Sequence, residues 1–162
     1  MVQHGANMKK SVFFVAYFAF ISCGVYAGNM INVCGHTLEV LRGDPQSFVW
    51  EDDMGLVWVG TAIGDTIDFF RIDERLSNRI WHLTVSHKNT KEKYKSSLVA
   101  VDVNCSDGSY KHKTILLYTD FFRKGQCKSD TPEELLNKDH IPVPGTVSEM
   151  YPLLGCRKNN RD

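Results

Sequence analysis

The chain has no net charge, with 19 Lys and Arg against 19 Asp and Glu. That balance leaves no polyelectrolyte excess of either sign over the whole chain, and nucleic acid, though physically possible for a local basic patch, is out of place for a chain that reads as exported and is not expected as a partner. There is no uninterrupted apolar run of about 20 residues, which a helical membrane span needs. No C-x-x-C or H-x-x-x-H spacing suggests a zinc site, and no G-x-S-x-G marks a nucleophile. No glycine-rich loop leads into a helix to cradle a phosphate. Repeats and low-complexity segments are lacking too. The expectation is a protein with no metal and no cofactor, and not an enzyme.

What is present begins with an address. Met8, Lys9 and Lys10 form a basic start, Ser11 to Ser22 is a run of twelve residues without a charge, and Val25-Tyr26-Ala27 places small residues at −3 and −1. This reads as a secretory signal peptide over residues 1–27, cut after Ala27, with Met8 as an alternative start that would make 1–7 an over-called beginning. A second route uses Phe20-Ile21-Ser22-Cys23, which resembles a lipobox; lipidation at Cys23 would be the chain's one tie to a membrane. The expected location is outside the cytoplasm of a bacterial cell, in the periplasm or on the outer surface. Removal of 1–27 takes away Lys9 and Lys10 and leaves 17 basic residues against 19 acidic ones.

Cys34, Cys105, Cys127 and Cys156 remain after export, and an even number of cysteines in an exported chain reads as disulfides, with three possible pairings. Two patterns bear on the choice. Val99, Val101, Val103 and Cys105 share one parity, which puts the cysteine in line with a core-facing row. At the other end Pro142, Pro144 and Gly145 stop the preceding structure, Thr146 and Glu149 have the spacing of a capping box, and Val147, Met150, Tyr151 and Leu154 form an apolar helical stripe ending at Cys156. The stripe laid on the valine row predicts a Cys105–Cys156 bond, leaving Cys34 with Cys127. Pro152 predicts a kink in this helix.

The middle of the chain reads as strands. Leu56 to Gly60 and Thr66 to Ile72 form a hairpin about Gly64-Asp65. Arg79 to His87 alternates, with Trp81, Leu83 and Val85 on one face and His82, Thr84 and Ser86 on the other. Ser97 to Cys105 and Ser109 to Thr119 are joined by the turn Ser106-Asp107-Gly108. Short polar connections favour an antiparallel meander of about five or six strands with one C-terminal helix, an α+β domain over 56–156. Residues 28–55 read as an extension of uncertain structure, with weak strands near Val33 to Leu41 and Phe48 to Trp50. Asp120 to His140 reads as loop, with one helical turn from Thr131 to Leu136. Residues 157–162 are a polar tail.

Chemistry is sparse. His82 and His112 with Asp102 between them could form a row, but the pattern is that of a solvent-facing sheet surface. Asp65, Asp68, Asp73 and Glu74 sit at turns and strand ends and read as solvated. Cys105 among valines is no exposed thiolate. The charge distribution is more informative: His87 to Lys128 carries nine Lys or Arg against four acids, whereas Glu39 to Glu74 carries nine acids and two arginines. Lys88, Lys91, Lys93 and Lys95 lie in one loop, and Lys111 and Lys113 lie on the strand after it. Together they make a candidate basic patch for an anionic polysaccharide or a protein partner. The edges of a meander are a second route to partners, including a homodimer.

Trp58 to Phe70 (W-V-G-T-A-I-G-D-T-I-D-F-F), Lys95 to Cys105 (K-S-S-L-V-A-V-D-V-N-C) and Ile141 to Glu149 (I-P-V-P-G-T-V-S-E) with Cys156 beyond it are together similar to the bacterial surface-adhesin protein E-like family, over about Leu56 to Cys156. The resemblance implies a curved antiparallel sheet with the helix held on its concave face by Cys105–Cys156, in an exported, non-enzymatic binding protein. Pro152, Cys34, Cys127 and the segment before Leu56 depart from the pattern. A periplasmic inhibitor, immunity or envelope-accessory protein is the alternative role, and a small hydrolase the third.

Overall fold

In the computed structural model the described residues are 29–157, apart from 42, 43, 45, 74, 77, 88–91 and 137. The expected leader with Cys23, the tail beyond 157, and Glu74, Lys88 and Lys91 lie outside them. Nine strands follow in chain order: β1 Asn29–Val33, β2 His36–Val40, β3 Ser47–Glu51, β4 Val57–Ile63, β5 Thr66–Ile72, β6 Arg79–Ser86, β7 Ser96–Val103, β8 Tyr110–Tyr118 and β9 Cys127–Ser129. Each is hydrogen-bonded to the next in one antiparallel sheet. The meander is therefore as expected, but with nine strands rather than five or six. The surplus comes from residues before 56, which supply β1 to β3, and from β9 in the stretch read as loop. β3 pairs with β4 along its whole length, Trp50 opposite Trp58, so the early residues belong to the same sheet.

The sheet is strongly curved. In a flat sheet, strands at about 4.8 Å spacing would put β2 and β8 about 29 Å apart. Phe122 lies four residues beyond β8, a reach of at most about 14 Å. Yet its ring centroid is 4.2 Å from that of His36 on β2, 4.9 Å from Trp50 and 5.7 Å from Phe69. The strands wrap round one core of Leu38, Phe48, Trp50, Trp58, Ile67, Phe69, Leu83, Val85 and Leu98, and the 3-10 turn Phe121–Arg123 inserts Phe122 into it. Gly60 lets the sheet close over this core, because a Cβ there would meet the Phe69 ring at 2.5 Å.

Antiparallel partners share a face, so Phe70, His82 and Val99 lie together on the opposite side, as do Ile72, Ile80, Val101 and His112. A 3-10 turn, Val147–Glu149, runs into a short C-terminal helix, Met150–Gly155, and covers this second face. Tyr151 and Leu154 are buried there with Phe70, Ile80, Val101 and Val103, while Val147 and Met150 pack at the margin, so all four residues of the expected stripe are used. The helix lies on the face away from the wrapped core, not on the concave side. Thr146 caps the turn by accepting from the Ser148 N–H at 3.3 Å. Pro152 causes no break: the α-helix begins only at Met150, so the proline falls in the first turn, where its missing N–H has no helical partner to lose. A further helical turn, Glu133–Leu136, follows β9. Thr131 does not cap that turn through its hydroxyl in the described bonds; it bonds both the N–H and the C=O of Ile115 on β8.

Cys105 and Cys156 are joined as expected, with Cα atoms 5.3 Å apart. The expected Cys34–Cys127 bond is not formed, and both thiols are free. Pairing by elimination counts thiols and ignores position. Cys34 sits in the β1–β2 turn at φ 51°, and the curl of the sheet brings it near Asp120 and Lys95; Cys127 is exposed at the start of β9, opposite Tyr118, and no bond joins the two sulfurs. No helix among the described residues is long and apolar enough to cross a membrane.

Candidate functional site

The expected lysine patch divides in two. Lys95 immediately precedes β7, whereas Lys111 pairs with Asp102 near the far end of that strand, seven residues on. At strand rise this separates them by about 24 Å. Lys93 is exposed and lies 5.3 Å from the Tyr94 ring, and Lys95 is half-buried, 5.0 Å from the Phe121 ring. At the other end Lys111 meets Asp139 at 3.4 Å and Lys113 meets Asp102 at 3.8 Å. Asp102 is itself gripped by Arg79 through two bonds of 2.6 and 3.0 Å.

Each lysine group borders a groove. At the Lys111 end, a polar groove of about 600 Å³ runs past Asn78, Asp102, Tyr110, Lys113 and Asp139. At the Lys95 end, a groove of about 420 Å³ lies over β5, β6 and β7, lined by Thr66, Thr84, Ser86, Tyr94, Lys95 and Ser97. Side-chain parity explains the second lining: Thr66 pairs with Ser86, and Thr84 with Ser97, on the face the C-terminal helix covers farther along. Beyond the helix that face is hydroxylated and open.

The inner end of this groove abuts a buried relay. Asp68 Oδ1 is 2.8 Å from His82 Nε2, and His82 Nδ1 is 2.8 Å from the Tyr151 hydroxyl on the helix. Thr84 Oγ1 donates to Asp68 Oδ1 at 2.8 Å, and Thr66 Oγ1 reaches Asp68 Oδ2 at 3.0 Å. With the proton on Nε2, His82 donates to Asp68 and accepts from Tyr151, so every polar atom is satisfied. Burial opposes the Asp68 charge, but hydrogen bonds from His82, Thr84 and Thr66 together hold its carboxyl below the ordinary range. Burial, with Tyr110 and Asp68 nearby, pushes the Tyr151 hydroxyl well above the usual tyrosine range and keeps it a donor.

This corrects three sequence expectations. His82 is buried, not on a solvent face. Asp102 points to the other side of the sheet from His82 and His112, so the expected His-Asp-His row does not exist; Asp68 is the partner. Asp68 is buried, not solvated. Asp73 keeps a structural place, accepting from Trp81 Nε1 at 2.9 Å and from the Arg75 and Leu76 N–H groups. His112 is lowered by burial and by His140, against which it packs at 5.0 Å. No group of three or more His, Cys, Asp or Glu among the described residues is arranged to hold a metal ion.

A second cluster, unread in the sequence, anchors the Phe122 turn. Asp52, with its side chain 1 % exposed, accepts from Arg123 Nη2 at 2.7 Å, Trp58 Nε1 at 3.0 Å and the Met54 and Leu56 N–H groups. Ser96 Oγ donates to the Asp120 C=O at 2.7 Å and accepts from the Arg123 N–H at 3.1 Å. These bonds hold Phe122 and Arg123 at φ 51° and 66°, a left-handed conformation rare for residues other than glycine. The one sequence signal was Asp52 followed three residues later by Gly55, a turn spacing in which the aspartate serves backbone N–H groups. In comparison with known proteins, no family model matches the chain, and neither a curated protein nor a solved structure matches it.

Proposed function

We propose that this is an exported, non-enzymatic binding protein of the surface-adhesin protein E-like kind, taking an anionic saccharide of a host matrix or cell envelope in the groove over β5, β6 and β7. The observation that carries this reading is the groove's lining. Thr66, Thr84, Ser86 and Ser97 line it with hydroxyl side chains along paired strands, Tyr94 adds an aromatic side chain capped by Lys93, and Lys95 with neighbouring Lys93 brings positive charge beside the carboxylates Asp65 and Glu92. The relay beside the groove favours binding over hydrolysis: the hydroxyl that meets His82 belongs to Tyr151, which is buried under the helix and held protonated by that burial, so the relay presents no nucleophile to a ligand in the groove.

The test is retention on immobilised heparin. Charge reversal of Lys93 and Lys95 should lower the eluting salt concentration, and reversal of Lys111 and Lys113 should not. Unchanged elution for the first pair sinks the proposed site. Protease shaving of whole cells tests surface exposure. The second reading, a periplasmic inhibitor or accessory protein, is favoured by the larger groove at the other end, where Asp102, Lys111, Lys113 and Asp139 present both signs of charge. Capture of one bacterial protein in stoichiometric amount, lost on reversal of Lys111 and Lys113, would select it.

A further inference from the structure

The groove over β5, β6 and β7 has a polarity that its list of hydroxyls conceals. A threonine hydroxyl has one proton to give and lone pairs to receive. Thr84 Oγ1 lies 2.8 Å from Asp68 Oδ1 and 3.1 Å from His82 Nε2, so its proton is spent inward on the relay. Thr66 Oγ1 lies 3.0 Å from Asp68 Oδ2 and 3.1 Å from the Ile63 C=O, so its proton is spent on one of those acceptors. What Thr66 and Thr84 turn toward the groove is therefore lone pairs. Asp65 and Glu92 add carboxylates to its wall. The cation at this end, Lys95, is directed to the Phe121 ring.

We infer that the Thr66–Thr84 part of this groove's floor accepts hydrogen bonds and that its ligand is recognised there through protons the ligand donates, namely the free hydroxyls of a saccharide. Asp68 is the positioning residue: buried behind the floor, it draws the threonine protons inward and fixes which way the floor faces. His82 and Tyr151 hold Asp68 in place and link the groove's polarity to the docked helix. The inference rests on the groove being the ligand site proposed above, and assigns that site a rule of selection. Sugars with free hydroxyls at the floor are taken, and those with the same hydroxyls capped or replaced are refused. Anionic groups are left to the lysines at the margin.

The experiment is an NMR titration of the protein with a heparin disaccharide and with analogues in which single hydroxyls are replaced by fluorine. Fluorine keeps the size and some acceptor character but has no proton. At least one replacement should weaken binding about tenfold, the effect of losing one good hydrogen bond. The parent sugar should shift the amide signals of Thr66, Thr84 and Ser97. Thr84→Val removes one floor acceptor, so it should weaken the parent sugar by a similar factor while leaving the fluorinated analogue unchanged. A merely structural threonine would weaken both alike. Asp68→Asn should narrow the preference for the parent, because the threonine protons are released to the groove; if that variant does not fold, Thr84→Val decides alone. Equal binding of every analogue at these amides overturns the inference and leaves the binding site standing. Binding that moves only lysine-loop signals also overturns it. No binding of any saccharide removes the site and the inference together.

Discussion

Replacing Asp52 by Ala is the most demanding test of how the Phe122 turn is held. The substitution removes a side chain that is 1 % exposed and takes the acceptor from four donors: Arg123 Nη2, Trp58 Nε1 and the N–H groups of Met54 and Leu56. Trp58 is fully buried, so its N–H cannot turn to water. Leaving one such donor unpaired costs about 1–3 kcal/mol, and breaking a buried ion pair from one side costs about 3–5 kcal/mol. The two overlap, because Arg123 is still 19 % exposed and regains some water; the expected loss is about 4 kcal/mol. Asp52→Asn keeps one carbonyl acceptor and should lose about half as much. The strain at Phe122 and Arg123, of order 1–3 kcal/mol each, is no longer offset once the anchor is gone. Urea unfolding gives the stability loss, and amide exchange should report faster opening of residues 119–126. Combining Asp52→Ala with Arg123→Ala should show a coupling energy of about 2 kcal/mol. A loss below about 1 kcal/mol for Asp52→Ala, or a coupling near zero, would mean that the turn is held by Phe122 packing alone.

Three further outcomes are expected. Tyr151→Phe removes the hydroxyl that donates to His82 and should cost about 1–2 kcal/mol in urea unfolding, with the helix still docked through Leu154 and the disulfide; no loss would show the bond to be redundant. Cys105→Ser opens a loop spanning 51 residues in sequence and should cost about 4 kcal/mol, with Cys156 becoming reactive to thiol reagents under conditions where the wild-type residue is not. Acid should destabilise the fold in two stages. His36 and His112 are lowered by burial first, then by Lys124 and His140 respectively. The unfolded chain therefore binds their protons first, and stability falls as pH drops below the ordinary value of 6.5. Asp52 and Asp68 are lowered against the cost of burial by the hydrogen bonds they accept. Their contribution is present above the ordinary 3.8 and is lost as pH falls through their lower folded values. A melting temperature constant from pH 7 to 3 would contradict both assignments.

The sequence pattern was readable where one residue's place followed from its neighbours in the chain. Alternation at Arg79 to His87 and the valine row ending at Cys105 located β6, β7 and the disulfide, because strand parity is a local property. The same parity was insufficient for His82. Alternation alone marks its polar face as solvent-facing, although Val99, its partner across the ladder, belongs to the row expected to lie under the helix. Register, which no single strand reveals, was the missing step. β2 and β3 were legible only as weak strands near Val33 to Leu41 and Phe48 to Trp50, and β1 not at all: such short strands carry too few alternations to stand out, and it is the chain of pairings to β4 that fixes them. Asp52 and Arg123 are 71 residues apart, and a charge pair across that distance is invisible until the sheet curls.

The lysines were legible as residues but not as a site. Their sequence proximity suggested convergence, yet the β7–β8 ladder holds the two groups at opposite ends. The groove beside Lys95 was missed because its lining is made of hydroxyl residues that look like ordinary solvent-facing sheet positions. What distinguishes them is the carboxylate behind. Asp68 accepts from Thr66 and Thr84 on the groove side and from His82 on the helix side, and His82 in turn meets Tyr151. One buried charge thus ties helix docking to the polarity of the exposed floor. Changes that loosen the helix should then alter which hydrogen bonds the floor can accept, even though Tyr151 itself does not line the groove.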